Sequence, residues 1–278
     1  MITFIKHNDD LTATMRGDQL AEEINTLGIE ARAIPEKEYM SKCHPSGEVV
    51  VMIKRVNKET ILRAKQNNAT IVFDVLDNEE IWRSGFGSML PCVDAMIASS
   101  SALMLMRWAK PAHQKLIHQH PDPRYKPNAA AEFSAAYIGS LENLEKKYIH
   151  LPFDKMVGVE NIHENIRAYS CHVCVRTRGS EKYLQKPASK LVAAAGCRAN
   201  IVLTTDVSHV DLLPITYPYF TGSAEESVEG TLEYAKKTYG MPVWKEGLDM
   251  MEEVRKKTCI RRAAESYLEF FHDIGGMI

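Results

Sequence analysis

The stretch Val175–Gly196, "VRTRGSEKYLQKPASKLVAAAG", carries five basic residues, Arg176, Arg178, Lys182, Lys186 and Lys190, against one acid, Glu181. The 278-residue chain is balanced overall, with 34 Lys+Arg against 36 Asp+Glu, so the positive charge here is local. The preceding "CHVCVR" (Cys171–Arg176) reads as a buried strand, which puts Arg176 and Arg178 at or just past its C-terminal edge. In an open parallel sheet that edge is where ligands bind. Pro187 pre-sets the first turn of a helix, with Ser189 and Lys190 in that turn. Lys186 and Lys190 are four apart and can converge. Cations at a helix N-terminus oppose its macrodipole. The arrangement is explained by an anion held between the lysines and the unpaired N–H groups of the first turn, and a diphosphate is the natural candidate. The alternative is a solvated basic loop.

Outward from this run, short apolar segments alternate with helical periods. "MITFI", "IEARAI", "EVVVMIKRV" (Glu48–Val56), "ATIVFDVLD" (Ala69–Asp77), "VDAMIAS" and "QKLIHQH" read as strands. Continuous β-branched runs such as Val49–Ile53 mark strands covered on both faces. Between them, "ATMRGDQLAEEINTLG" (Ala13–Gly28), "NKETILRAKQNN" capped by Asn57, and "SSALMLMRWAK" read as helices. "HPDPRYKPNAAAEF" (His120–Phe133) has three prolines and no period, and reads as a linker. The rhythm then restarts with strands "SAAYIGSL", "DKMVGV", "CHVCVR" and "ANIVLTTD". The last third is helical. Ser223 with Glu226 is read as a capping box, and Leu248–Ile274 as one long helix.

The expected fold is therefore α/β, with two Rossmann-like domains whose parallel sheets face a central ligand cleft. The expected boundaries are residues 1–122 for the first domain, 123–133 for the linker and 134–257 for the second. Residues 258–278 are expected to form a final helix returning to the first domain.

Composition narrows the function. Apolar residues make up 45% and charged residues 25%, and the net charge of −2 gives no general affinity for nucleic acid or anionic membranes. No apolar run is long enough for a transmembrane segment, and the N-terminus turns polar too soon for a signal peptide, so a cytoplasmic location is expected. Scattered cysteines point to free thiols. "CHVC" invites a zinc or redox reading, but no second cysteine pair completes a four-cysteine site. His118, His120 and Asp122 are weighed as metal ligands against capping or solvent roles. The phosphate-binding fingerprints GxGxxG and GxxxxGK[ST] and the GxSxG elbow do not occur.

"KPASKLVAAAGCRANIVLTTD" (Lys186–Asp206) resembles the signature of GT-B fold glycosyltransferases, in particular retaining glycosyltransferase family 4. "AAYIGSLENLEK", "MRGDQLAEEI", "ATIVFDVLDN" and "AMIASSSALM" resemble, in order, the fold's first strand in the C-terminal domain and three segments of its N-terminal domain. The resemblance implies transfer of a hexose, from GDP-mannose or a UDP-hexose, to a glycan or glycoprotein acceptor. Anomeric configuration would be retained. The nucleoside-diphosphate sugar would lie on the C-terminal domain and the acceptor on the N-terminal one. No cofactor and no metal are expected, because basic side chains and a helix N-terminus stabilise the leaving diphosphate. No nucleic acid partner is expected, and a homodimer is compatible with this organisation.

Arg176, Lys186, Lys190 and Asp77 are the residues expected at the chemical step. Gly17, Ser140, Arg178, Lys182, Gln185, Pro187, Ser189, Glu160 and Asn161 are expected to bind the donor, with Gly17 at a loop-to-helix turn. The chain departs from the family pattern. The paired glutamates fall on Gln185 and Ala193, and the strand-end arginine falls on Ser140. A catalytically degenerate nucleotide- or glycan-binding module is therefore the alternative reading.

Overall fold

The computed structural model describes residues 1–42, 44–55, 57–76, 91–105, 111–156, 162–176 and 185–275. They form two compact units. The first takes Met1–Gln119, Gln185–Pro187 and Ile260–Ile278, and the second takes His120–Leu184 and Ala188–Cys259.

The first unit is built on six parallel strands: β1 (Ile2–Lys6), β2 (Ala31–Pro35), β3 (Val49–Ile53), β4 (Thr70–Val75), β5 (Ala95–Ala98) and β6 (His113–Leu116). Their order is β2-β1-β3-β4-β5-β6. Every residue of β3 is buried, as its unbroken β-branched run requires. The Lys58–Gln66 helix starts where expected, with the Asn57 side chain accepting from the Thr60 N–H at 2.9 Å.

The first helical segment differs from the expected single α-helix. It begins at Leu11 under an Asp10 cap, runs as a π-helix over Thr14–Gln19, and continues as an α-helix over Leu20–Thr26. Gly17 therefore lies inside a helix rather than at a loop-to-helix turn. A β-carbon there would stand 3.1 Å from Ile53 Cδ1 and 3.3 Å from the Lys6 stem, so the glycine serves close packing. The neighbouring Arg16 is fully buried and clasps Asp74 of β4, Nε to Oδ2 at 2.8 Å and Nη2 to Oδ1 at 2.6 Å. A π-turn adds a residue to the helical register.

The expected continuous helix after Leu248 is two helices, Pro242–Thr258 and Ile260–Asp273, parted at Cys259 with ψ of 150°. Each buries its face in a different core. Trp244, Met251 and Val254 join the second unit's core, while Ala263, Ala264, Tyr267, Phe270 and Phe271 pack with Ile2, Phe4, Leu20 and Ile24 of the first. The Tyr267 hydroxyl donates to Asp74 Oδ2 at 2.7 Å, joining this helix to the buried Arg16–Asp74 pair.

The second unit has five parallel strands: β7 (Ala135–Ile138), β8 (Asp154–Met156), β9 (Cys171–Cys174), β10 (Asn200–Thr204) and β11 (Phe220–Thr221). Their order is β11-β10-β9-β7-β8. The proline-rich segment expected as a linker is strapped to this unit. The Asn128 N–H donates to Cys197 O at 2.7 Å and the Ala129 N–H to Arg167 O at 2.8 Å. Tyr217 and Tyr219 of "TYPYF" pack in the core. Ser223 does not cap the Glu225–Lys237 helix. Its carbonyl is held by Lys147 Nζ at 2.9 Å and the Tyr148 hydroxyl at 2.7 Å, and Ala224 takes the cap position. No helix among the described residues is long and apolar enough to cross a membrane.

Candidate functional site

In the second unit the strand order reverses between β7 and β9, which lie side by side although β8 separates them in sequence. Such a switch point leaves a crevice at the C-terminal strand ends, where ligands bind in open α/β sheets. The residues there are Gly139 and Ser140 after β7, and Cys174, Val175 and Arg176 at the end of β9. The helix that follows, Ser189–Gly196, brings Lys190 to the same place. The Lys190 ammonium lies 4.8 Å over the Tyr137 ring and 2.9 Å from where a β-carbon on Gly139 would stand.

The helix is anchored in the core. Leu191, Val192, Ala194 and Ala195 are buried in the core, and Arg198 adopts the left-handed φ of 51° that closes its C-terminus. The expected start at Pro187 is displaced, since the helix begins at Ser189 with Ala188 as its cap. Lys186 precedes the helix, so the four-residue spacing that would make it converge with Lys190 on one helical face does not apply.

Arg176 is only 9% exposed. Its guanidinium donates to Asp206 Oδ2 at 3.0 Å, and its backbone N–H donates to Thr204 Oγ1 at 3.1 Å. Asp206 also caps the short Val207–Val210 helix, accepting from the His209 N–H at 3.1 Å. His209 is fully buried, and its Nδ1 donates to Thr204 O at 2.7 Å. Its other nitrogen, Nε2, faces the Cys174 sulfur at 3.7 Å. Burial alone pushes the Cys174 thiol up. Arg176, the hydrogen bond to His209 and Lys190 outweigh it and bring the thiol down to about 7. Burial lowers the Lys190 pKa, Cys174 raises it and Arg176 lowers it further, for a net downward shift. Cys171, without such neighbours, is pushed by burial up to about 12.

The structure thus brings Arg176, Lys190 and Ser140 of the expected residues to one strand-end crevice. Ser189 lies exposed on the first turn beside them. The Ser140 oxygen caps its own 3₁₀ turn, accepting from the Glu142 N–H at 3.4 Å. Gln185, Lys186 and Pro187 are half-buried in the segment before the helix. Asp77, Glu160, Asn161, Arg178 and Lys182 lie outside the described residues. Ala193, one of the two positions departing from the family's glutamates, is half-buried against Ile166, Cys197 and Ala199. Sequence reasoning missed His209 and Asp206. The signal was present as an acid at a strand end followed three residues later by a histidine, in "DVSH".

Two of the three weighed metal ligands, His120 and Asp122, are engaged elsewhere. His120 Nδ1 donates to Pro121 O at 2.9 Å, and Asp122 accepts from Arg124 at 2.6 Å. Among the described residues no group of three or more His, Cys, Asp or Glu is placed to hold a metal ion.

The first unit has its own switch point, between β1 and β3. A cavity of about 110 Å³ lies there, lined by His7, Asn8, Asp10, Thr12, Lys54 and Arg55 among others. These residues also escaped the sequence reading.

No protein-family profile and no curated protein sequence matches the chain. Solved structures match it along nearly its whole length. A glycosyltransferase from Rickettsia africae is 10% identical, with 98% of each chain covered and a TM-score of 0.68. Sucrose-phosphate synthase from Thermosynechococcus elongatus is 13% identical, with 99% of this chain and 98% of that one covered and a TM-score of 0.68. HepE from Anabaena, solved in complex with UDP-glucose, is 9% identical, with 98% and 99% covered and a TM-score of 0.67.

The chain has the GT-B fold. At these identities it is the fold that is shared. The six- and five-stranded parallel sheets are the two sheets of a GT-B protein, and Arg176 and Lys190 sit at the switch point of the second.

Proposed function

We propose that the chain is a hexosyltransferase that uses a nucleoside-diphosphate sugar and binds the donor diphosphate at Arg176 and Lys190. The observation that carries this reading is two cations, one buried and one half-buried, at the C-terminal switch point of the second sheet, with Lys190 filling the space that the missing side chain of Gly139 leaves. Negative charge grows on the diphosphate oxygens as the glycosidic bond breaks. A guanidinium already fixed by Asp206 and an ammonium fixed over Tyr137 oppose that charge without reorganising, which lowers the barrier. In this reading the two side chains take the place of a metal, and the sugar is transferred with retention. The glycan acceptor would bind the first unit, at the cavity beside His7 and Lys54. UDP-hexoses are favoured over GDP-mannose as donors, because HepE of the same fold is seen with UDP and UDP-glucose.

Calorimetric titration with UDP, GDP and ADP, and then with their sugar conjugates, tests this reading with and without EDTA. Micromolar binding of one nucleotide that survives EDTA supports it. No binding of any would remove it. NMR of the product's anomeric proton distinguishes retention from inversion.

A second reading is a binding module without turnover. It is favoured by Ala193, which presents a methyl group in an apolar cluster where the resembled family carries a carboxylate. Tight nucleotide-sugar binding without either transfer or hydrolysis would select it.

A further inference from the structure

The donor-site reading accounts for Arg176 and Lys190 but not for the buried pair behind them. Cys174 is 1% exposed and His209 is 0% exposed. A carbonyl oxygen can only accept, so the contact with Thr204 O puts a hydrogen on His209 Nδ1. That leaves Nε2 facing the Cys174 sulfur at 3.7 Å, with a single proton to share between them. Several polar and charged groups stand round this pair among the described residues. Arg176 lies just past the end of β9, and Lys190 comes from the Ser189–Gly196 helix. Asp206 lies 3.2 Å from His209 Nδ1. Tyr137 stands on β7 under Lys190, and Thr204 ends β10.

We propose that the Cys174–His209 pair is the proton-accepting counter-charge of the anion site, so that a diphosphate bound at Arg176 and Lys190 draws one proton from solvent onto the pair. The inference rests on the donor-site reading and adds its protonation linkage. Without ligand, the two cations stabilise loss of the pair's proton, because a thiolate there neutralises charge in a poorly solvated place. A bound diphosphate takes over that neutralising role and places negative charge beside the sulfur. The thiolate is then repelled and the proton returns. No bond other than S–H or N–H is made, and no electron moves.

The sign of the pH dependence follows. Against the upward push of burial, Arg176, the hydrogen bond to His209 and Lys190 hold the thiol down to about 7. Below that pH the pair already holds its proton, and binding does not depend on pH. Above it the ligand must restore the proton, so affinity falls by up to about tenfold per pH unit.

The test is isothermal titration of the full chain with UDP-glucose and with GDP-mannose, whose phosphodiester groups do not titrate near neutral pH. It is run in buffers of different ionisation enthalpy. Uptake of close to one proton at about pH 8, lost in Cys174→Ser, is the expected result. Affinity of the wild-type protein that stays flat from about pH 6.5 to 8.5 overturns the proposal without recourse to any variant. So does proton uptake that persists unchanged in Cys174→Ser. Failure of both nucleotide sugars to bind at any pH removes the donor site itself, and the linkage with it.

Discussion

Lys190 fills the space that a side chain on Gly139 would need. Its ammonium stands 2.9 Å from the missing β-carbon, and Gly139 holds φ at +134°, a region that L-residues avoid. The glycine thus sets the lysine over the Tyr137 ring at the strand-end crevice. Gly139→Ala is expected to cost about 1–3 kcal/mol in backbone strain and to push the ammonium aside. Nucleotide-sugar affinity should fall about tenfold or more, beyond what the stability loss explains. Titration of the folded variant, with urea denaturation alongside, separates the two effects. Wild-type affinity in the variant would mean that Lys190 does not meet the ligand.

Removing the cations tests the site directly. A charge-assisted hydrogen bond contributes about 1.5–3 kcal/mol, so Lys190→Met and Arg176→Gln should each weaken diphosphate binding by about tenfold to a hundredfold. Arg176→Gln carries an added cost, because it leaves Asp206 without its partner at 3.0 Å. The double variant Lys186→Ala/Lys190→Ala should bind at least as weakly as Lys190→Ala alone, with an unchanged circular dichroism spectrum. Binding as tight as wild type in the double variant would sink the phosphate assignment.

Much of the fold was legible because the buried strands are short and strongly patterned. Val49–Ile53 and Asn200–Thr204 announce parallel strands by composition alone. What was not legible depends on partners distant in sequence. The π-helical turn at Thr14–Gln19 has no periodic signature, and Arg16 within it finds Asp74 across 58 residues. The break at Cys259 lacks Gly or Pro. It follows from two cores claiming the two halves of one amphipathic pattern. At the candidate site, charge density singled out Arg176 and Lys190 as expected anion ligands. It could not show that a thiol in an apolar strand faces an imidazole 35 residues later.

The Arg16–Asp74 pair makes a prediction about stability. Both side chains are fully buried, and Asp74 also accepts from the Tyr267 hydroxyl of the final helix. Asp74→Ala strands a guanidinium in the core and should cost about 3–5 kcal/mol. Tyr267→Phe removes one hydrogen bond and should cost about 1 kcal/mol. Urea denaturation followed by tryptophan fluorescence and circular dichroism reads both. Equal, small effects would show that water reaches Arg16 in the folded chain.

His172 makes the last prediction, on acid stability. It sits on β9 at 2% exposure, and its Nε2 has no hydrogen-bond partner among the described residues. Burial pushes its imidazole down to about 3, with a backbone hydrogen bond at Ile166 opposing the shift. An unfolded histidine titrates near 6.5. The folded pKa is the lower of the two, so as pH falls the unfolded chain takes up the proton first. Stability from this group is intact above about pH 6.5 and is lost progressively toward about pH 3. Between about pH 7 and pH 5 the loss from this group alone is about 2 kcal/mol. His172→Val has nothing to protonate and also removes the unpaired nitrogen. It should lose correspondingly less stability over that interval in parallel urea titrations. If the variant and the wild type lose stability in step, the imidazole is reaching solvent or a proton acceptor in the folded chain, and its burial does not govern the acid limb.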